Sequence, residues 1–239
     1  MKPTQLALAG LLAASLPAHA QTILSTEHVD IGVNYEDGAW DLHIHDETND
    51  AEYEPGNAIL QVNGTAQTIV SSNPLFSFLG APGSDLWLLP NTQTPGLLFL
   101  GFGAEEMQSG LFVEDAFSLR LTDVSGPGQF AVFDFNPVGE PQVLMNSADG
   151  FSANDVFHGV PGSHSDVNWA FSAPGVYTIS FEASGTLVDG NAFTRSGPVS
   201  YTFQVVPEPG TWALMGLGLA GLLGTQARRR RTVSMRANN

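Results

Sequence analysis

Apolar and polar residues alternate with period two along much of the chain. Val29, Ile31, Val33 and Tyr35 alternate with His28, Asp30, Gly32 and Asn34; after Asp37-Gly38, Trp40, Leu42 and Ile44 alternate with Asp41, His43 and His45. Asp-Gly between two such runs signals a two-residue type I′ hairpin. That turn pairs Tyr35 with Trp40, Val33 with Leu42 and Ile31 with Ile44 on an apolar face. On the polar face it sets Gly32 opposite His43 and Asp30 opposite His45, with His28 diagonal to His45.

The same alternation returns near the end of the chain. Tyr177, Ile179, Phe181 and Ala183 alternate with Thr178, Ser180, Glu182 and Ser184, and Val199, Tyr201, Phe203 and Val205 repeat the pattern after Gly197-Pro198. Further strands are expected around 58–70, 85–89, 97–102, 117–123 and 129–135, separated by Pro-Gly turns. Only SANDVF at 152–157 suggests a helical turn. The pattern predicts an all-β fold, an antiparallel β-sandwich of immunoglobulin-like or related type.

The two ends read differently. Residues 1–20 carry Lys2, an apolar run over 6–16 and Ala18-His19-Ala20, which together form a secretory signal peptide with cleavage before Gln21. At the other end Pro207-Glu208-Pro209 precedes an apolar run over 212–223, followed by Arg228, Arg229, Arg230 and Arg231. Clustered arginines stay on the cytoplasmic side, so a short transmembrane helix with its C-terminus inside is expected. As a helix, 212–227 rises roughly 24 Å, short of the roughly 30 Å hydrocarbon core, which makes it a marginal anchor. The order of these three elements over 207–231 resembles the PEP-CTERM sorting signal of Gram-negative bacteria. The resemblance implies an exosortase as partner, transient inner-membrane anchoring, and transfer of the processed protein to the cell surface or extracellular matrix. Residues 232–239 would form a cytoplasmic tail.

Between the ends, 21–206 is one domain-sized segment. It holds 23 of the 24 acids but only Arg120 and Arg195 among the basic residues, a net charge of −21 with histidines neutral. Such a surface repels phosphate backbones and attracts cations, which excludes nucleic acid as an expected partner. The charges are dispersed among Val, Leu, Ile and Phe, so the segment folds. There is no cysteine, hence no disulfide, thiolate ligand or cysteine nucleophile.

Opposed residues on one sheet face stand about 5 Å apart at Cβ, close enough for neighbouring imidazoles to converge on one ion. His43, His45, His28 and Asp30 are therefore candidate ligands, and Gly32 leaves His43 room to tilt. An Asp opposite a His is equally a cross-strand pair that needs no metal. His158 and His164 flank a Val160-Pro161-Gly162 turn and become ligands only where the fold brings that loop to the hairpin. The acids Asp46, Glu47, Asp50, Glu52 and Glu54 lack EF-hand spacing and read as a solvated loop rather than a calcium site.

Enzyme signatures are absent: no nucleophile elbow, phosphate loop or His-Glu-x-x-His helix occurs. Ser163, His164 and Asp166 are neighbours in sequence, which is not how catalytic triads are assembled. Trp87, Trp169, Phe171 and Tyr177 form a sugar-binding face only where exposed, and alternating aromatics ordinarily build the core. The competing readings are a structural or exopolysaccharide-binding matrix protein and a hydrolase.

Four strings, EHVDIGVNYEDGAWDLHIHDE, DLWLLPNTQTPGLLFLGFGAEE, GPGQFAVFDFNPVGEPQVLMNSADGF and GSHSDVNWAFSAPGVYTISFEASGTLVDG, together resemble the choice-of-anchor M domain of surface-anchored proteins. In actinobacterial relatives the last string is similar to a surface repeat associated with metal uptake. That repeat carries His-x-His before Asn-Trp; here His164 stands at the first position and Asp166 at the second. The resemblance implies a surface-displayed module and suggests metal handling; imidazole and carboxylate without sulfur suit zinc or another divalent transition metal.

Overall fold

The computed structural model describes residues 20–207. The expected signal-peptide core with Ala18, the apolar run 212–223 and the cluster from Arg228 onward lie outside the described residues. No helix among the described residues is long and apolar enough to cross a membrane.

The hairpin forms in the expected register. Asp37 and Gly38 both take positive φ, 51° and 83°, as a type I′ turn requires. His28–Glu36 pairs with Ala39–Asp46 so that Ile31 faces Ile44, Gly32 faces His43 and Asp30 faces His45. Two more strands extend one side of it: Phe99–Gly103 lies parallel to His28–Glu36, and the edge strand His164–Asp166 pairs antiparallel with Phe99–Gly103. Ala51–Tyr53 closes the other side. These five strands make the histidine sheet.

A seven-stranded sheet runs in the order Thr22–Leu24, Ala58–Val62, Val199–Val205, Gly175–Thr186, Phe117–Ser125, Val156–Gly159, with Phe193–Arg195 as an additional partner of Gly175–Thr186. A second five-stranded sheet is antiparallel throughout, in the order Pro141–Asn146, Phe130–Phe135, Asn168–Phe171, Asp85–Leu89, Gln67–Ile69. The fold is thus β-rich as expected, but its strands form three sheets and are not all antiparallel. Ala58–Val62 runs parallel to both Thr22–Leu24 and Val199–Val205. Parallel pairing needs a long crossover, so no local turn signal announces it.

Two other expectations change. The single run at 58–70 divides at Gly64–Ala66, and its halves enter different sheets. The segment 152–157 makes no helical turn. Instead the buried Asp155 carboxylate accepts hydrogen bonds from the backbone N–H of Asn146 and Ser152 at 2.8 and 2.7 Å, which frees Val156–Gly159 to enter the seven-stranded sheet as a strand.

Trp169 stands where the three sheets meet. Fully buried, it contacts Phe102 of the histidine sheet, Phe130 of its own sheet, and Phe181 and Phe203 of the seven-stranded sheet, at ring-centroid distances of 5.0, 5.8, 6.2 and 5.8 Å. Rings of this size supply large buried apolar area, and edge and offset contacts add to it. The chain end is held as well. Trp87 Nε1 donates to the Val206 carbonyl at 3.1 Å, and the Val206 N–H donates to Val62 at 2.9 Å.

Candidate metal centre

Register alone places the candidate ligands. Across the histidine sheet one row reads His164, Gly103, Gly32, His43, and the next reads Asp166, Gly101, Asp30, His45, Glu52. Successive rows two residues apart share a face, so His28, Asp30, His43, His45, His164 and Asp166 stand on one side of one sheet. His158 does not: it sits in the seven-stranded sheet, where its Nδ1 is 3.1 Å from Ser118 Oγ. The Val160-Pro161-Gly162 turn carries the chain from one sheet to the other, which separates the two histidines.

The glycines between these side chains make the arrangement possible. A Cβ on Gly32 would run into the His43 ring, and one on Gly101 would run into Asp30 Oδ1 while lying 3.2 Å from Asp166 Oδ1. On Gly103 it would lie 2.8 Å from Glu105 Oε2 and 3.2 Å from Asp30 Oδ2. Glycine within a strand here means that a polar side chain has taken the space over the backbone.

The first grouping is His28, His164 and Asp166, each offering a ligand atom within 4.8 Å of the others. His28 Nε2 lies 3.3 Å from Asp166 Oδ1, and His164 Nε2 lies 3.8 Å from Asp166 Oδ2. The 3.3 Å contact is not aligned as a hydrogen bond, so both atoms are buried without a partner. Phe99 backs the His28 ring at a centroid distance of 4.6 Å. The second grouping is Asp30, Glu47 and Glu105. Asp30 is 0% exposed, and neither of its oxygens has a hydrogen-bond partner. Burial first, then the Glu105 carboxylate, lifts its carboxyl to about 7, with His164 opposing. Glu105 joins the groupings, since its Oε1 lies 2.9 Å from His164 Nδ1.

The third grouping is His43, Glu52 and Glu106. His43, 6% exposed, has Nδ1 3.1 Å from Asp41 Oδ2. Such a carboxylate orients an imidazole and leaves Nε2 for a ligand. Partial burial and the neighbouring Glu52 raise the Glu106 carboxyl. The rings of His43 and His45 are 6.3 Å apart at their centroids, and His45 Nδ1 turns to Glu47 Oε1 at 3.1 Å. The adjacent pair therefore divides between environments instead of converging on one point.

The acidic loop divides too. Asp46 is buried and accepts from Thr48 N, Asn49 N and Asn49 Nδ2 at 3.1, 3.1 and 2.7 Å, a turn-forming role. Glu47 and Glu52 reach the sheet face. Neither they nor Glu105 and Glu106 stand out as ligands in the sequence; the available signal was Gly101-Phe102-Gly103, a strand with a bare face just before two acids. Ser163 Oγ donates to the Val160 carbonyl at 2.7 Å rather than to His164. Trp87, Trp169, Phe171 and Tyr177 are all buried, so these four belong to the core and none offers a face to a sugar.

Residues 205–231 match the PEP-CTERM protein-sorting motif. No curated protein matches the chain significantly. The sorting motif marks the chain as an exported protein handled by an exosortase, with transient membrane anchoring before its release to the surface or exterior.

Proposed function

We propose that this exosortase-sorted protein is a binding module of the Gram-negative cell surface or matrix that holds a divalent transition metal on its histidine sheet. One observation carries the reading. Of the five buried side-chain atoms without a hydrogen-bond partner among the described residues, four are His28 Nε2, Asp166 Oδ1, Asp30 Oδ1 and Asp30 Oδ2. Unsatisfied buried polar atoms are rare and costly. All four stand on the same face of the histidine sheet, where a bound cation would satisfy them.

The spacing agrees with that reading. Ligand bonds of 2.0–2.1 Å at tetrahedral angles put donor atoms about 3.3 Å apart, and His28 Nε2 and Asp166 Oδ1 are 3.3 Å apart. Imidazole with carboxylate and no sulfur suits Zn²⁺ or a similar borderline ion. His28, His164 and Asp166 form the best-assembled set, with Asp30 beside Glu47 and Glu105 and His43 beside Glu52 and Glu106 as neighbouring ones. The likeness of four segments to the choice-of-anchor M domain supports the same reading.

The test is elemental analysis of the protein purified without a histidine tag, followed by calorimetric titration with Zn²⁺, Mn²⁺ and Cu²⁺. His28→Ala/His164→Ala is expected to weaken Zn²⁺ binding at least tenfold. Equal, weak binding by wild type and a folded variant would leave the face as an ion-paired surface and remove the metal from the proposal.

A further inference from the structure

We infer that the histidine sheet is built for two cations, bridged by the carboxylate of Asp30; this rests on the metal-binding reading above. The two Asp30 oxygens address different neighbours. Oδ1 shares the space over Gly101 with Asp166 Oδ1, and Oδ2 shares the space over Gly103 with Glu105 Oε2. Both are buried and unpartnered. Oδ1 is thus the oxygen on the Asp166 side, so an ion held by His28, His164 and Asp166 would leave Oδ2 as orphaned as before. An ion among Asp30, Glu47 and Glu105, whose ligand atoms lie within 4.8 Å of one another, uses the remaining oxygen.

Charge points the same way. Asp30, Asp166, Glu47 and Glu105 bring four negative charges into two adjoining groupings when ionised, which two divalent ions would balance. No arginine serves instead: the only two among the described residues, Arg120 and Arg195, lie 2.8 and 3.9 Å from Glu182 on the seven-stranded sheet. Glu105 borders both groupings, 2.9 Å from His164 through Oε1. The two positions differ in chemistry. Two imidazoles and a carboxylate favour a borderline ion such as Zn²⁺, while an all-carboxylate set favours a harder ion such as Mn²⁺. Two-metal sites commonly hold their ions about 3.5–4 Å apart, close enough for paramagnetic ions to couple.

Stoichiometry and coupling test this on the intact, untagged protein. Titration with Zn²⁺ and with Mn²⁺, read by native mass spectrometry, is expected to end at two ions per chain. The Mn²⁺-loaded protein should give a spin-coupled paramagnetic resonance signal instead of the six-line spectrum of isolated Mn²⁺. Asp30→Asn is expected to abolish coupling and leave at most one tightly bound ion. Glu47→Gln, whose carboxylate contacts His45 and no side chain of the first grouping, should weaken the second ion at least tenfold and spare the first. One ion per chain, or two uncoupled ions indifferent to both substitutions, overturns the bridge while leaving a metal on the face. Binding of no ion overturns the metal-binding reading itself.

Discussion

Trp169 Nε1 donates to the carbonyl of Leu100 at 2.9 Å, and both groups are buried. The bond ties the meeting point of the three sheets to the residue just before Gly101. The largest fully buried side chain of the core thus fixes the strand that separates His164 and Asp166 from Asp30.

Replacing Trp169 by Ala should destabilise the protein by about 3–5 kcal/mol through lost burial and the cavity left behind. Trp169→Phe keeps most of the ring area and should cost less, about 1 kcal/mol of it from the lost hydrogen bond. Urea unfolding of both variants reads the difference. A loss below about 1 kcal/mol for Trp169→Ala would contradict the central position of this side chain.

Asp30 gives the metal-free protein a specific pH dependence. Its carboxyl is raised from an ordinary 3.8 to about 7, so the folded state keeps a proton that the unfolded chain releases. This group's contribution is complete below about pH 4 and is lost as pH rises toward about 7. Asp30→Asn should therefore stabilise the metal-free protein at neutral pH, by on the order of 1–4 kcal/mol. It should also reduce the stabilisation gained on adding Zn²⁺, leaving only what an ion at His28, His164 and Asp166 supplies. Thermal unfolding with and without chelator checks both; a variant less stable than wild type at pH 7 in chelator would refute the argument.

Tyr201 provides a contrast. Its hydroxyl is buried without a hydrogen-bond partner, and burial, with Asp41 and Glu54 adding to it, pushes its ionisation far up. Removing an unsatisfied hydroxyl from an apolar site is neutral or favourable. Tyr201→Phe is expected to leave stability unchanged or raise it by about 1 kcal/mol, with metal binding as in wild type. A clear destabilisation would show that the hydroxyl has a partner in solution.

Mass spectrometry of envelope and medium fractions should find a mature form that begins at or near Gln21 and lacks Arg228, Arg229, Arg230 and Arg231. Recovery of intact C-termini alone, all in the inner membrane, would exclude exosortase processing.

What the sequence disclosed follows from which contacts are local. The hairpin around Asp37-Gly38 was legible residue by residue, because a two-residue turn fixes register and alternation fixes the face. Asp30 opposite His45 and Gly32 opposite His43 came from that alone. The partners from farther along the chain were not legible. Phe99–Gly103 joins His28–Glu36 in parallel, a pairing with no turn to mark it, and His164–Asp166 is a three-residue edge strand too short to show a period. The candidate centre accordingly shifted from the adjacent pair His43 and His45 toward His28, His164 and Asp166. It also gained Glu47 and Glu105 from loops whose acids look like solvated surface when read in isolation.

The last strand of the fold, Val199–Val205, lies inside the seven-stranded sheet, between Ala58–Val62 and Gly175–Thr186, and the sorting motif begins at residue 205. Export proceeds from the N-terminus, so this is the last strand among the described residues to emerge. Until it does, both neighbouring strands present bare edges, the kind that recruit other chains or proteases. Once it arrives, Trp87 closes over Val206 just as the sorting segment follows. Completion of the fold and presentation of the sorting segment are thus adjacent events on the export timeline, and the sheet needs no slack beyond Val206 to close.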